Sequence, residues 1–152
     1  MAKLPAFAWA ILLGLPLLFA GLWLGITALL GSLAGWGRLE QAFPDRPEVA
    51  MLALRNRPRA MGGARLMSVN YRNALHLEVC AAGLRLRVMR LLAPFQRPVF
   101  VPWSSIVVSR EGTLLGSAWR LTFGRPEAGH LVLFGGTAAE IARTGRLKLP
   151  DG

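Results

Sequence analysis

The chain has a single cysteine, Cys80, among 152 residues. One thiol can form neither an internal disulfide nor a thiolate metal cluster, and such scarcity is in keeping with a reducing compartment. The only histidines are His76 and His130. Two isolated imidazoles do not make a metal site. His76 and Cys80 fall at i, i+4 in a strand-like segment, which puts them about 13 Å apart and beyond proton transfer. There are only eight carboxylates, and they are scattered; Glu40, Asp45 and Glu48 lie near the expected membrane, and no pair suggests acid–base work. Gly135-Gly136-Thr137 opens a helical pattern whose N–H groups could meet an anion, but it lacks the lysine and glycine spacing of a phosphate-binding loop, so helix capping is the simpler reading. These absences argue against an enzyme and imply no cofactor and no metal.

The most telling absence is charge between Lys3 and Arg38. LPAFAWAILLGLPLLFAGLWLGITALLGSLAGWG is far longer than the roughly 20 apolar residues that cross about 30 Å of hydrocarbon. A signal peptide needs an apolar region of only about 7–15 residues. Ser32-Leu33-Ala34 fits a cleavage site, yet length favours a retained anchor over residues 4–36. No second run of spanning length follows, so a single-pass protein with one small domain is expected. Pro16 removes one backbone hydrogen bond within the run. Trp36 is the best candidate for an aromatic belt residue at the interface.

Basic residues are abundant. Lysine and arginine number 18, for a net charge of +10, and apart from Lys3 all of them follow the apolar run. Such an excess suits an anionic bilayer face or nucleic acid. The anchor makes the bilayer the more economical partner and nucleic acid an unlikely one. Arg38, Arg46, Arg55, Arg57 and Arg59 outweigh Lys3, which places the C-terminal domain in the cytoplasm by the positive-inside rule.

Gly21, Gly25, Ala28, Ser32 and Gly35 recur at spacings of 4, 3, 4 and 3 along one helical stripe. Small residues so placed let two membrane helices approach closely, so a homodimer or a partner helix is a candidate. From Trp36 to Pro47 the pattern changes. Trp36, Leu39 and Phe43 share a face opposite Arg38, Glu40 and Gln41. This amphipathic extension lies either along the membrane surface or with its apolar face on the soluble domain. Residues 48–64 read as a linker, basic at Arg55-Asn-Arg-Pro-Arg59 and flexible at Met61-Gly-Gly-Ala64.

Residues 65–152 carry strand signals. Leu75, Leu77 and Val79 alternate with His76, Glu78 and Cys80; Gly83 turns the chain; Leu84, Leu86 and Val88 alternate with Arg85 and Arg87. The pattern predicts a hairpin, with Glu78 near Arg85 or Arg87 across the strands. Further strands are expected at Leu66–Tyr71, Pro98–Val101, Ser105–Arg110, Ala118–Phe123 and His130–Phe134, about seven in all. Thr137 and Glu140 suggest a capping box for a short helix that Gly145 stops. His130 should be exposed, and Trp103 should be core. Arg85, Arg87, Arg90 and Arg97 form the best cluster for anionic lipid or an acidic partner, with Arg55, Arg57 and Arg59 close to the bilayer; a solvated strand face is the bland alternative.

Gly83-Leu-Arg-Leu86 and Val101-Pro-Trp-Ser-Ser-Ile106 resemble the bacterial pleckstrin-homology-like pattern of a Gly-Leu-x-Leu strand and an apolar strand ending in Pro-Trp-Ser-x-Ile. The stretch from Gly35-Trp-Gly-Arg-Leu to Phe43-Pro44 is similar to the corresponding segment of bacterial membrane proteins that carry such a domain. The match covers residues 65–145, and its motifs are structural. It implies a mainly β fold with helices: an antiparallel barrel, or an open curved sheet given the short final helix. It also implies a non-enzymatic module that binds protein or lipid. The expectation is therefore a bacterial inner-membrane scaffold that holds a protein partner or anionic phospholipid. The alternative is a small accessory subunit whose membrane helix makes the main contact.

Overall fold

The structure is a computed structural model that describes residues 5–33, 35–55, 59–62, 68–70, 74–113 and 116–150. Lys3, Ala34 and Arg57 lie outside the described residues, as do both ends of the strand expected at Leu66–Tyr71.

Helix α1 (Ala6–Leu33) realises the apolar run as 28 helical residues and continues past Pro16. At about 1.5 Å per residue it is about 42 Å long. It is the one described helix long and apolar enough to cross a membrane. Most of its side chains stand away from the rest of the protein, with Leu17 73% and Phe19 70% exposed, whereas Thr27 near its end is buried. Continuous exposed apolar surface of this extent is of the kind that marks a membrane or protein contact. Gly35 ends the run in the left-handed conformation (φ 72°, ψ 18°), where a residue without Cβ is favoured. Helix α2 (Trp36–Ala42) starts at once.

Nine strands follow among the described residues: β1 (Ala50–Leu54), β2 (Arg59–Gly62), β3 (Ser68–Asn70), β4 (Leu75–Cys80), β5 (Gly83–Val88), β6 (Val99–Pro102), β7 (Ile106–Thr113), β8 (Gly116–Phe123) and β9 (Gly129–Phe134). Helix α3 (Gly136–Thr144) closes the chain. The strands form two antiparallel sheets, ordered β1-β4-β5-β6 and β3-β2-β9-β8-β7. No ladder joins the two sheets among the described residues, so they do not close into a barrel. The architecture mixes helix and sheet, with more sheet.

The β4–β5 hairpin has the expected register, with Leu77 opposite Leu86 and Glu78 opposite Arg85. Alternation sends Leu75, Leu77, Val79, Leu84 and Leu86 into a core shared with Val99 and Val101 of β6, Leu121 and Phe123 of β8, and Leu131 and Leu133 of β9. Ala138 and Ile141 of α3 cover one side of this core, and Trp36 and Leu39 of α2 insert into it as well.

Four expectations need correction. The 48–64 linker contains β1 and β2; Ala-Met-Leu-Ala-Leu pairs along β4, and backbone pairing gives it order that its composition did not advertise. Trp36 is 1% exposed, so it is a core residue and not a belt residue, and the amphipathic extension packs on the domain. Thr137 makes no capping box: Gly135 holds the N-cap position, no side chain caps it, and Thr137 is buried. His130 is buried as well, its imidazole held against Glu127 and Arg120.

Candidate membrane and partner surface

Arg85 sits mid-strand on β5 between Glu78 of β4 and Phe100 of β6. It is 6% exposed. Nε donates to Asp45 Oδ1 at 2.8 Å, and Nη1 donates to Glu78 Oε2 and to the Glu48 carbonyl, each at 3.0 Å. Nη2 donates to the Arg46 carbonyl. Four of the five guanidinium N–H donors are thus engaged internally. Burial by itself would lower the pKa of Arg85, but its hydrogen bonds to the Glu78 and Asp45 carboxylates outweigh it and raise the pKa above its ordinary value. Arg85 is therefore a permanent cation that clamps segment 45–48 onto the sheet. Glu48 adds to the clamp by accepting from the Ala82 N–H at 3.4 Å.

The other candidate arginines lie elsewhere. Arg87, Arg90 and Arg97 are exposed, as is Arg55. Arg59 belongs to β2, and its side chain lies outside the described residues. Arg97 is fixed through its backbone: its N–H donates to Glu40 Oε1 at 2.6 Å, and its carbonyl accepts from Trp36 Nε1 at 2.9 Å. The structure thus separates Arg85 from the cluster. It leaves Arg90 and Arg97 flanking the β5–β6 loop.

That loop was missed as a feature of the sequence. Its turns are closed by N–H donation from Leu92 and Ala93 to the Met89 carbonyl and from Gln96 to the Ala93 carbonyl. Ala93 is buried and roots it in the core, whereas Leu91 (69%) and Phe95 (67%) stand outward. An available signal was Met-Arg-Leu-Leu-Ala-Pro-Phe, an apolar stretch without strand alternation. Gln96 lies so close to Gly31 of α1 that a Cβ there would overlap the amide. Between loop and helices is a cleft of about 680 Å³ bordered by Thr27, Gly31, Ser32, Glu40, Phe95 and Gln96.

The small-residue stripe is divided. Nothing lies within 4 Å of a Cβ placed at Gly21 or Gly25. Ala28 and Ser32 border the cleft instead, and Gly35 is the corner between helices.

The remaining polar groups have local roles. His130 Nδ1 lies 2.9 Å from Glu127 Oε1 and 3.2 Å from Arg120 Nη2, and Arg120 pairs with Glu127 at 3.2 Å. This ties the 124–128 turn to β8 and β9. Trp103 packs on the core and donates from Nε1 to the Ala81 carbonyl at 3.1 Å, steadying the β4–β5 turn. Burial pushes the Cys80 thiol up. Among the described residues no three metal-ligating side chains stand together.

Compared with known proteins, the chain matches no family model, no curated protein and no solved structure.

Proposed function

We propose that this protein is a single-pass, membrane-anchored binding module. In this reading α1 crosses a bacterial inner membrane, and the two-sheet domain stands at the cytoplasmic face to hold a protein partner or anionic phospholipid. No catalytic step is assigned to it. The observation that carries the reading is the junction. The apolar helix turns at Gly35 straight into α2, whose Trp36 and Leu39 are buried in the core of the sheets. A domain joined in this way is held at the membrane surface rather than trailing on a tether. The arginine excess after the helix supports the cytoplasmic side. Two antiparallel sheets followed by a short helix are compatible with a pleckstrin-homology-like arrangement that has stayed open.

A second reading has one observation in its favour. Gly21 and Gly25 leave an uncovered groove on α1, suited to close approach of another helix, as in an accessory subunit of a membrane complex or a homodimer.

The two readings separate on the native assembly solubilised in mild detergent and sized by native electrophoresis. Replacing Arg87, Arg90 and Arg97 with glutamate should dissociate an assembly held by the domain. Gly21→Leu with Gly25→Leu should dissociate one held by the helix. If neither changes the size, both readings fall. Arg85 is left out of the test because its loss would disturb folding.

A further inference from the structure

Outside α1, exposed large apolar side chains are few among the described residues. Val49, Met51 and Val107 are dispersed, whereas Met89, Leu91, Leu92 and Phe95 all fall in the β5–β6 loop. The loop is held in place: Ala93 is buried in the core, the Arg97 backbone is bonded to α2, and Gln96 abuts Gly31 of α1.

The position along α1 bears on what covers this surface. The cleft residues Thr27 and Gly31 lie about 9 Å and about 3 Å from the last helical residue, Leu33, at the α-helical rise. The loop therefore flanks the final turns of the apolar helix, which on the anchored reading is where α1 leaves hydrocarbon for headgroups. An interfacial segment buries its apolar side to about 5–10 Å at this boundary. Arg90 and Arg97 are exposed on either side of the apolar tip, as cations that reach back to lipid phosphates would be.

We propose that residues 89–96 form a second membrane contact, resting on the anchored-module reading above. Leu91, Leu92 and Phe95 enter the headgroup–acyl boundary of the leaflet from which α1 emerges, while Arg90 and Arg97 face its phosphates. The lipid bilayer is the partner for this surface. A single helix lets a domain turn about its axis. A helix with an inserted loop beside it fixes which face of the domain looks away from the membrane.

The test uses the full chain at one copy per nanodisc of phosphatidylcholine and phosphatidylglycerol. An environment-sensitive fluorophore is placed on Leu92→Cys, Phe95→Cys, Leu18→Cys or Val107→Cys. Cys80 is fully buried, and the unsubstituted chain serves as the labelling control. Val107 is exposed on β7, at the sheet edge opposite β3, the strand that lies against α1. Lipid spin-labelled near the top of the acyl chain is the quencher. Labels at positions 92 and 95 should emit to the blue of the label at 107 and lose most of their fluorescence, while the label at 107 keeps its own. If 92 and 95 behave like 107 while 18 is quenched by a deep spin label, the loop proposal is overturned and the anchor stands. If 18 is unquenched too, the anchored-module reading fails first. Blue emission without quenching would put another protein chain over the loop, which also overturns the proposal.

Discussion

Arg85 Nε donates to Asp45 Oδ1 at 2.8 Å, joining β5 to a segment 40 residues earlier in the chain. The contact turns the connection between α2 and β1 into part of the sheet surface, and so helps fix the domain relative to α1. Removing the cation by Arg85→Ala would leave Glu78, Asp45 and two backbone carbonyls without their donor. A loss of about 3–5 kcal/mol is expected, as for breaking a buried pair from one side. Asp45→Ala should cost about 1 kcal/mol or less, because its carboxylate is 38% exposed and solvent replaces part of the contact. Denaturant unfolding in detergent, followed by tryptophan fluorescence, checks the order. Equal losses would mean that the clamp acts through Asp45 alone.

Trp36 couples the helical N-terminal segment to the domain by two means, an indole ring buried in the core and an N–H donated to the Arg97 carbonyl at 2.9 Å. Trp36→Phe keeps most of the packing and should cost about 1 kcal/mol for the lost hydrogen bond. Trp36→Ala should cost about 3–5 kcal/mol. Limited proteolysis should then cut between α2 and β1 in the alanine variant well before the phenylalanine variant. Equal cleavage of the two would sink the coupling role.

Two glycines in strands give opposite expectations. A Cβ at Gly83 would overlap the Val101 carbonyl oxygen, part of the backbone of the paired strand β6. Gly83→Ala should therefore force the β5–β6 ladder apart and cost about 1–3 kcal/mol. Gly112 of β7 has nothing within 4 Å, so Gly112→Ala should be neutral or slightly stabilising, by up to about 1 kcal/mol. Thermal midpoints of the two variants settle the comparison.

Cys80 gives the stability a pH dependence. Desolvation by burial is the main cause that raises its thiol pKa above the ordinary 9.0, with the Arg85 charge opposing it. Unfolding exposes the thiol, so above pH 9.0 the unfolded chain releases a proton that the folded chain retains. The contribution is therefore complete below that pH and declines as pH rises toward the folded value. Wild type should lose thermal stability more steeply than Cys80→Ala on the alkaline side. Parallel slopes would contradict this.

The hairpin was legible because two physical signals agreed. Alternation placed Leu77 and Leu86 inward, and the same register put Glu78 opposite Arg85. What the hairpin alone could not reveal was that Asp45 and the 46 and 48 carbonyls come from far upstream to complete the arginine's shell. Local spacing carries no trace of such a contact, so Arg85 read as a candidate for external anions. Likewise Ala50–Leu54 has neither strict alternation nor β-branched residues, and only its pairing with β4 makes it a strand. Trp36 next to a membrane helix reads as interfacial by statistics, and burial by the sheets overrides that. The β5–β6 loop was hidden for a different reason. Exposed apolar side chains look like core in a sequence, and their meaning appears only when Gln96 is found against Gly31.

The most direct measurement fuses two reporters in turn to the C-terminus of the full chain, one active only in the cytoplasm and one active only outside it. Membranes washed at alkaline pH confirm that the fusion remains integral. Activity of the cytoplasmic reporter alone, in the washed membranes, is the expected result. Activity of the external reporter, or release of the protein by the wash, would contradict a cytoplasmic module held by α1.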